Sequence, residues 1–374
     1  MIAPDGVVAL REERGLRLLV LWLPPLLTLL FLAIFGGGEP RRLPVGVVDL
    51  DHGAEARALV RHLAASPGLD PGHAYSSPGA AKAALQRGDI LAMVVIPEAF
   101  GADLRAGLSP KVAAFHNSQF LLSGKFLSSS LTAAGQDFAV RAGVALRLGR
   151  GQPAPQVAAT ALPVRPHIKA LYNPDMSYAR FLVTAIAPAM WQILIVVATV
   201  LLLVWRLRRA PLPTAFGERC RTLWSLLWPV TALLWLQGLL MLVMFQGGLD
   251  WRPAGNVLWL VLGLGLMLLA VQAMALMILA LSAEPLRALS LCAAYLAPAF
   301  AFMGVTFPRG DMVTLARVWG DLMPSTHYLQ LQVAVADHGA PWSVLWPPLL
   351  ILLLFLLPLP LSARALPERL EVSS

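Results

Sequence analysis

Charge is scarce in this sequence. Of its 374 residues only 13% are Asp, Glu, Lys or Arg, about half the share of an ordinary soluble domain. The composition excludes disorder and a typical cytosolic enzyme. Cysteine is nearly absent: Cys220 and Cys292 are the two. Neither has a second Cys or a His nearby, so a disulfide framework, a metal site and a thiol redox pair all fall away. Lysine is rare too, since Lys82, Lys111, Lys125 and Lys169 leave 25 of the 29 basic positions to Arg. No basic block interleaves with aromatics, and the net charge of +8 does not read as nucleic-acid binding.

The familiar catalytic signatures are also missing. The sequence contains no G-x-x-x-x-G-K-[ST] phosphate loop, no G-x-S-x-G, no H-E-x-x-H and no C-x-x-C. Five of the seven histidines (His52, His62, His73, His116 and His167) are scattered between residues 36 and 178 at spacings that suggest no ligand set. They read as solvated surface residues. Asp49 and Asp51 are a close pair, but in a strand-to-helix turn Asp reads as a cap or turn former. No catalytic, metal-binding or cofactor-binding residue is therefore assigned.

What is abundant is hydrophobicity, at 57%. It gathers in six stretches without a charge or a histidine, 18–35, 181–205, 222–249, 253–283, 288–308 and 339–363. Each is near the roughly 20 apolar residues that a bilayer core demands. The first follows Arg11, Arg14 and Arg17 but is longer than a signal-peptide core and has no convincing small-x-small cleavage site, so it reads as a retained helix. Arginine placement then sets the threading. With the N-terminus in the cytoplasm, the loop 206–221, with five Arg and one Glu, lies inside together with Arg287, Arg364 and Arg369.

The expected fold is an α-helical polytopic membrane protein of six transmembrane helices with an inserted α/β extracytoplasmic domain. Residues 1–17 form a cytoplasmic amphipathic segment and 18–35 the first helix. Residues 36–178 form the periplasmic α/β domain, 179–363 carry helices two to six, and 364–374 are a cytoplasmic tail. Of the 50 charged residues, 24 fall between Glu39 and Asp175, as a water-facing insert requires. Within it, 45–50, 91–96 and 111–116 read as strands, and 53–65 and 80–86 as helices, the latter broken by Gly88. Residues 119–148 suit one long amphipathic helix, and 151–166 a Pro-rich return to the membrane. No internal repeat is visible. The alternating apolar and charged residues of 307–330 suit an amphipathic helix at the outer interface or briefly re-entering it.

The uncharged spans bear on energy supply. Ion-coupled transporters usually hold an ionisable residue within the bilayer, and these spans have none, which favours a permease driven by a partner.

Six ordered motifs then resemble those of the ABC type-2 exporter permeases with a large outer domain between the first two helices. They are Val45–Asp49 followed by Arg57-x-x-x-x-His62-Leu63 and Ser66-Pro67, then Ala84-Leu85-x-x-Gly88 and Val94-Val95-Ile96-Pro97 with Phe100 and Asp103-Leu104. Next come Leu171-Tyr172-Asn173-Pro174-Asp175 with Tyr178-x-Arg180-Phe181, Met303-Gly304-x-Thr306-Phe307-Pro308, and Met323-Pro324-Ser325-Thr326-His327-Tyr328.

The resemblance implies a pathway formed by two permease chains, identical or related, along helices two and five. Separate ABC ATPase subunits would bind ATP and Mg, so this chain holds no cofactor. A periplasmic adaptor and membrane lipid are the other expected partners, and a bacterial inner membrane the expected location. It implies a coupling element in the loop carrying Arg206, Arg208, Arg209, Glu218, Arg219 and Arg221, with any short interfacial helix at 216–223. These arginines suit topology anchoring equally. The loop offers only Glu218 where family members usually carry an acidic E-x-G-T-x-E stretch.

Asn173, Asp175, Arg180, Pro324, Thr326, His327 and Tyr328 would lie at an outer gate or interface, and Asp175 also suits a cap of helix two. The implied cargo is a hydrophobic or amphipathic molecule, drug-like or lipid-like. Two other readings follow from the residues: a membrane-anchored sensor or assembly protein whose outer domain binds a ligand, and a lipid transferase using His327, Asp321 and Asp311.

Overall fold

Trp22 divides the first apolar run. Helix α1 (Asp5–Glu12) leads into α2 (Arg14–Leu21) and α3 (Leu23–Phe35), and the last two meet at an angle of 41°. Pro24 and Pro25 follow the break and bring no N–H to an unbroken ladder across Trp22. The computed structural model describes residues 5–35, 42–116, 121–153, 157, 177–282, 284–305 and 307–368. Asn173, Asp175 and most of the Pro-rich return lie outside them. The chain separates into two compact units, Glu39–Tyr178 and Met1–Gly38 with Ala179–Ser374.

In the first unit, short β-branched runs form the sheet. Strands β1 (Leu43–Asp49), β2 (Leu69–Ala74), β3 (Ala92–Ile96) and β4 (Ala113–His116) lie in the order β2-β1-β3-β4. β1 runs parallel to β2 and β3, and β4 antiparallel to β3. Helices α4 (Ala54–Ala65) and α5 (Pro78–Arg87) make the two crossovers, and α6 (Phe100–Ala106) and α7 (Leu121–Gly149) follow.

Alternation of side chains divides the core. Val45, Val47, Val94 and Ile96 pack on one face with Leu59, Leu63, Leu127 and Phe138 from α4 and α7. Val48 and Met93 pack on the other with Ala81 and Ala84 of α5. A sheet covered on both faces explains why β1 and β3 read as continuous apolar runs.

β2 is the strand that the sequence hides, because Pro71-Gly72 reads as a turn. It survives as an edge strand whose register against β1 shifts at Pro44/Gly46, the setting in which Pro is tolerated. α5 is defined by its ends. The Ser77 hydroxyl accepts from Ala80 N at 3.3 Å, and Gly88 closes the helix at φ 82°. Ser77→Ala should cost about 1 kcal/mol, seen as a lower urea midpoint for the chain's sheet signal.

The second unit is helical. Its elements are α8 (Tyr178–Arg209), α9 (Phe216–Leu249), α10 (Val257–Ser282), α11 (Pro285–Leu296), α12 (Ala299–Phe302), α13 (Thr314–Asp321), α14 (Pro324–Ala336), α15 (Trp342–Leu354) and α16 (Leu359–Ala365). Five segments are long and apolar enough to cross a membrane: Ala179–Arg209, Phe216–Leu249, Val257–Ser282, Pro285–Phe302 and Trp342–Ala365. Counting the bent pair α2 and α3 as one makes up to six. The chain is thus mostly helical, with a small mixed sheet.

Two expectations are refined. Residues 216–223 are not a separate interfacial helix but the first turns of the 34-residue α9. The stretch 307–330 is not one amphipathic helix. It folds as a 3-10 turn at Arg309–Asp311, then α13, then the first half of α14. Apolar side chains are exposed around α13 (Val313, Leu315, Leu322), whereas Ser325 to Leu329 in α14 are buried.

Candidate functional site

The loop between α8 and α9 concentrates the arginines singled out from the sequence. Pro211 and Pro213 prevent α8 from running on, and Arg206, Arg208 and Arg209 occupy its last turn, where cations suit the helix dipole. Three of the five loop arginines make ties within the chain, two of them with their side chains mostly buried and Arg209 while staying exposed. Arg206 lies 3.4 Å from the Asp5 carboxylate of α1 and donates to Ala210 O at 2.7 Å. Arg209 pairs with Glu12 at the far end of α1, and its guanidinium stacks 4.6 Å over the Trp205 ring.

Arg219 is 6% exposed. It donates to Pro213 O at 2.9 Å, Ala363 O at 3.3 Å and Arg364 O at 2.7 Å. Those last carbonyls belong to the final turn of α16, so one guanidinium holds the start of α9, the loop and the C-terminal helix together. Leu212 N donates to Glu368 O at 3.0 Å and adds a backbone tie to the tail.

What this leaves outside is compact. Arg208, Arg209, residues 214–218 with Glu218, and Arg221 are exposed, Arg209 already paired with Glu12. The arrangement is a short polar surface on a platform braced by both ends of the chain. α1 reaches the platform because Gly6 allows it: a Cβ there would stand 2.2 Å from Leu226 O and 3.2 Å from Pro229 Cδ of α9.

The second set of residues gathers around α14. Pro324 takes the first helical turn, where a missing N–H costs nothing. Ser325, Thr326, His327 and Tyr328 are all buried, so this end of the helix is enclosed on every side. His327 Nε2 is 2.8 Å from Asp321 O and donates to it. Burial pulls the imidazole below its ordinary pKa, against the opposing pull of that carbonyl.

Asp321 also pairs with Arg309, which donates to Phe302 O at 3.2 Å. Tyr295 Oη donates to Leu322 O, and Trp319 Nε1 donates to Tyr295 O at 3.2 Å. The segment before α14 is thereby strapped onto α11 and α12.

α8 meets α14 through polar groups. Gln332 Nε2 donates to Thr184 O at 2.9 Å. Ala185 and Ala189 of α8 pack in one cluster with Met323 and Leu329. Arg180 donates to Leu249 O at 3.0 Å and lies 3.7 Å from the Asp250 carboxylate, so it closes the far end of α9. Several buried polar atoms have no hydrogen-bond partner among the described residues: both Gln192 amide atoms, Ser325 Oγ, Thr326 Oγ1 and Tyr328 Oη. Such atoms cost stability unless something meets them.

The expected site residues thus fall into two groups. Arg206, Arg209, Arg219, Arg208, Glu218 and Arg221 surround one loop, and Pro324, Thr326, His327 and Tyr328 lie in one buried helix with Arg180 on α8. Asn173 and Asp175 lie outside the described residues. Sequence reasoning quoted Ser325 in a motif without giving it a site role and passed over Gln332; for Ser325 the signal was a polar run inside an apolar neighbourhood. Among the described residues no group of three or more His, Cys, Asp or Glu could hold a metal.

The chain matches the family described as ABC-2 family transporter protein over residues 14–359. No curated protein and no solved structure matches it. With a match spanning almost the entire chain and the several helices fit to cross a bilayer, this protein belongs to the ABC-2 transporter permease family and is a multi-pass membrane component of a transporter.

Proposed function

We propose that this chain is the permease subunit of an ATP-driven exporter that moves a hydrophobic or amphipathic, drug-like or lipid-like substrate out across a bacterial inner membrane. Six helices span the bilayer with both termini in the cytoplasm, and residues 36–178 stand in the periplasm, where an adaptor meets them. Two such chains, identical or related, form the route. ATP and Mg are held by separate ATPase subunits, since this chain has no phosphate loop.

The observation that carries this reading is the braced loop. Three arginines are spent on internal ties, and a small charged surface (Arg208, Glu218, Arg221) is left presented for a partner. From it α9 runs unbroken for 34 residues, about 50 Å, to the end that Arg180 closes. A push on the loop would reach that end along one continuous helix, past Pro229. The buried polar atoms between α8 and α14 are the groups that could meet cargo or close behind it.

Replacing Glu218 and Arg221 together by Ala, with a candidate ATPase co-expressed, should cut ATP-stimulated transport at least about tenfold, the equivalent of losing ~1.4 kcal/mol of coupling. Insertion and yield should be unchanged, because both side chains are exposed. Unchanged transport would remove the loop from the coupling role.

A second reading is favoured by one feature of the sheet unit. A cleft of about 840 Å³ is lined by Phe100, Leu104, Val112, His116, Phe138 and Arg150, among others. If the unit is a ligand sensor and the helices are an anchor, function survives shortening of residues 206–221, whereas export does not.

A further inference from the structure

Pro24 and Pro25 take two hydrogen bonds out of the bent pair α2 and α3. In an unbroken helix residue 24 would donate to Val20 O and residue 25 to Leu21 O, four positions back, and proline has no N–H to give. The ladder holds on both sides of this gap. Trp22 N donates to Leu18 O at 3.1 Å, and Leu26 N donates to Trp22 O at 3.0 Å. The two carbonyls left over lie at the 41° bend, and a bilayer core offers no water to replace the lost donors.

One side chain meets both. Gln237 of α9 donates from Nε2 to Val20 O and to Leu21 O, the latter at 3.3 Å. An amide nitrogen carries two hydrogens, and here it has two acceptors. This fixes which way the amide faces, because its oxygen in the same place would confront two carbonyls. Gln237 is 9% exposed, so both bonds are made away from solvent.

α9 is itself held at this level. A Cβ on Gly238 would stand 2.3 Å from Leu264 Cδ2 of α10 and 3.0 Å from the Trp191 ring of α8, so α9 is seated closely against both. Its contacts with the N-terminal helices repeat along one stripe. α1 approaches at Leu226, the bend at Gln237, and α3 at Gly248, where a Cβ would stand 3.1 Å from Leu32 Cδ2. The steps are 237 − 226 = 11 and 248 − 237 = 11 residues, each about three helical turns.

We infer that Gln237 is the pin of a hinge between α2 and α3: it supplies the two hydrogen bonds that the prolines remove, and so holds the bend and α3 on α9. The bend is a joint fixed in one pose, and α3 follows α9 when α9 moves. That last consequence rests on the coupling reading above and deepens it; the pin itself does not depend on it.

The test uses the full chain. Gln237→Leu should shorten the half-life of the folded protein in detergent, at a fixed raised temperature, about tenfold. Pro24→Ala with Pro25→Ala returns the two N–H groups, so in that background Gln237→Leu should cost less than about twofold. A tenfold loss in both backgrounds overturns the inference, since Gln237 would then act by packing alone. So does no loss in either. If Gln237→Leu by itself does not insert, insertion should return once both prolines are replaced, and continued failure overturns the inference too.

A disulfide between Leu32→Cys and Gly248→Cys, in a chain carrying Cys220→Ser and Cys292→Ala, reads the hold on α3 directly. Oxidised by copper phenanthroline in membranes, it should form about threefold more slowly when Gln237→Leu is added, because the freed pair samples other bends. An unchanged rate means that α3 is not held through Gln237 and overturns the inference. Neither readout requires transport, so the coupling role of the loop and the pin stand or fall separately.

Discussion

Arg219→Ala is expected to destabilise the helical unit by about 3 kcal/mol, the loss of several hydrogen bonds from a charged donor to buried acceptors. The side chain supplies the N–H groups for Pro213 O, Ala363 O and Arg364 O. Two of these are orphan carbonyls at the C-terminal end of α16 that no intrahelical donor reaches. Without the guanidinium they face a dry contact unmet.

Loss of the tie should also release the backbone bond from Leu212 to Glu368, so the tail should become protease-sensitive at lower temperature than the rest. Arg219→Lys should recover less than half of the loss, because one ammonium cannot fork between carbonyls on two segments. Thermal unfolding in detergent, with proteolysis mapped to residues 366–368, checks both. An Arg219→Ala chain as stable as wild type would make the buried contacts incidental.

Gly6→Val should undock α1. The added Cβ meets Leu226 O at 2.2 Å, which is backbone inside α9 and cannot rotate away as a side chain could. Overpacking of this kind costs about 1–3 kcal/mol, and separation is the cheaper response for an eight-residue terminal helix. With α1 displaced, Arg206 loses Asp5 and Arg209 loses Glu12, so the loop loses one of its two braces.

The expected result is a chain that inserts normally but shows new protease access across residues 5–12 and transports about tenfold more slowly. Gly15→Val is the control, since nothing lies within 4 Å of a Cβ at Gly15. Equal behaviour of the two variants would mean that the close approach of α1 has no role.

Much of the architecture was legible because burial leaves a one-dimensional trace. The runs around Val45–Val48 and Val94–Ile96 read as strands and are strands, and 119–148 read as one long helix and forms one at Leu121–Gly149. The elements that escaped do so for local reasons. β2 carries Pro71-Gly72 and is held by its neighbour rather than by its own propensity. The fifth apolar stretch breaks before Pro298 and the sixth around Pro358, and a hydropathy window averages over such breaks. In 307–330 an apolar alternation spans Pro308 and Pro324, and the chain bends at both.

The arginine loop shows the limit most plainly. Its composition, five Arg to one Glu, announces a basic surface. In the fold Arg219 is among the buried residues and Arg208 is exposed, eleven positions away in the same loop.

By itself, the sequence determined that the chain is membranous, how its apolar and polar lengths alternate, that it carries no phosphate loop, and which family its ordered motifs resemble. Those properties depend on residue type and spacing, which are local. Only the tertiary structure decided which arginines are braces and which are presented. It also decided that four consecutive polar residues of α14 lie in the dark, and that Thr231 and Gln272, 41 residues apart, leave one buried amide atom unmet between α9 and α10. Hydrogen-bond satisfaction is settled by groups far apart in the chain, and no pattern along the sequence can count it.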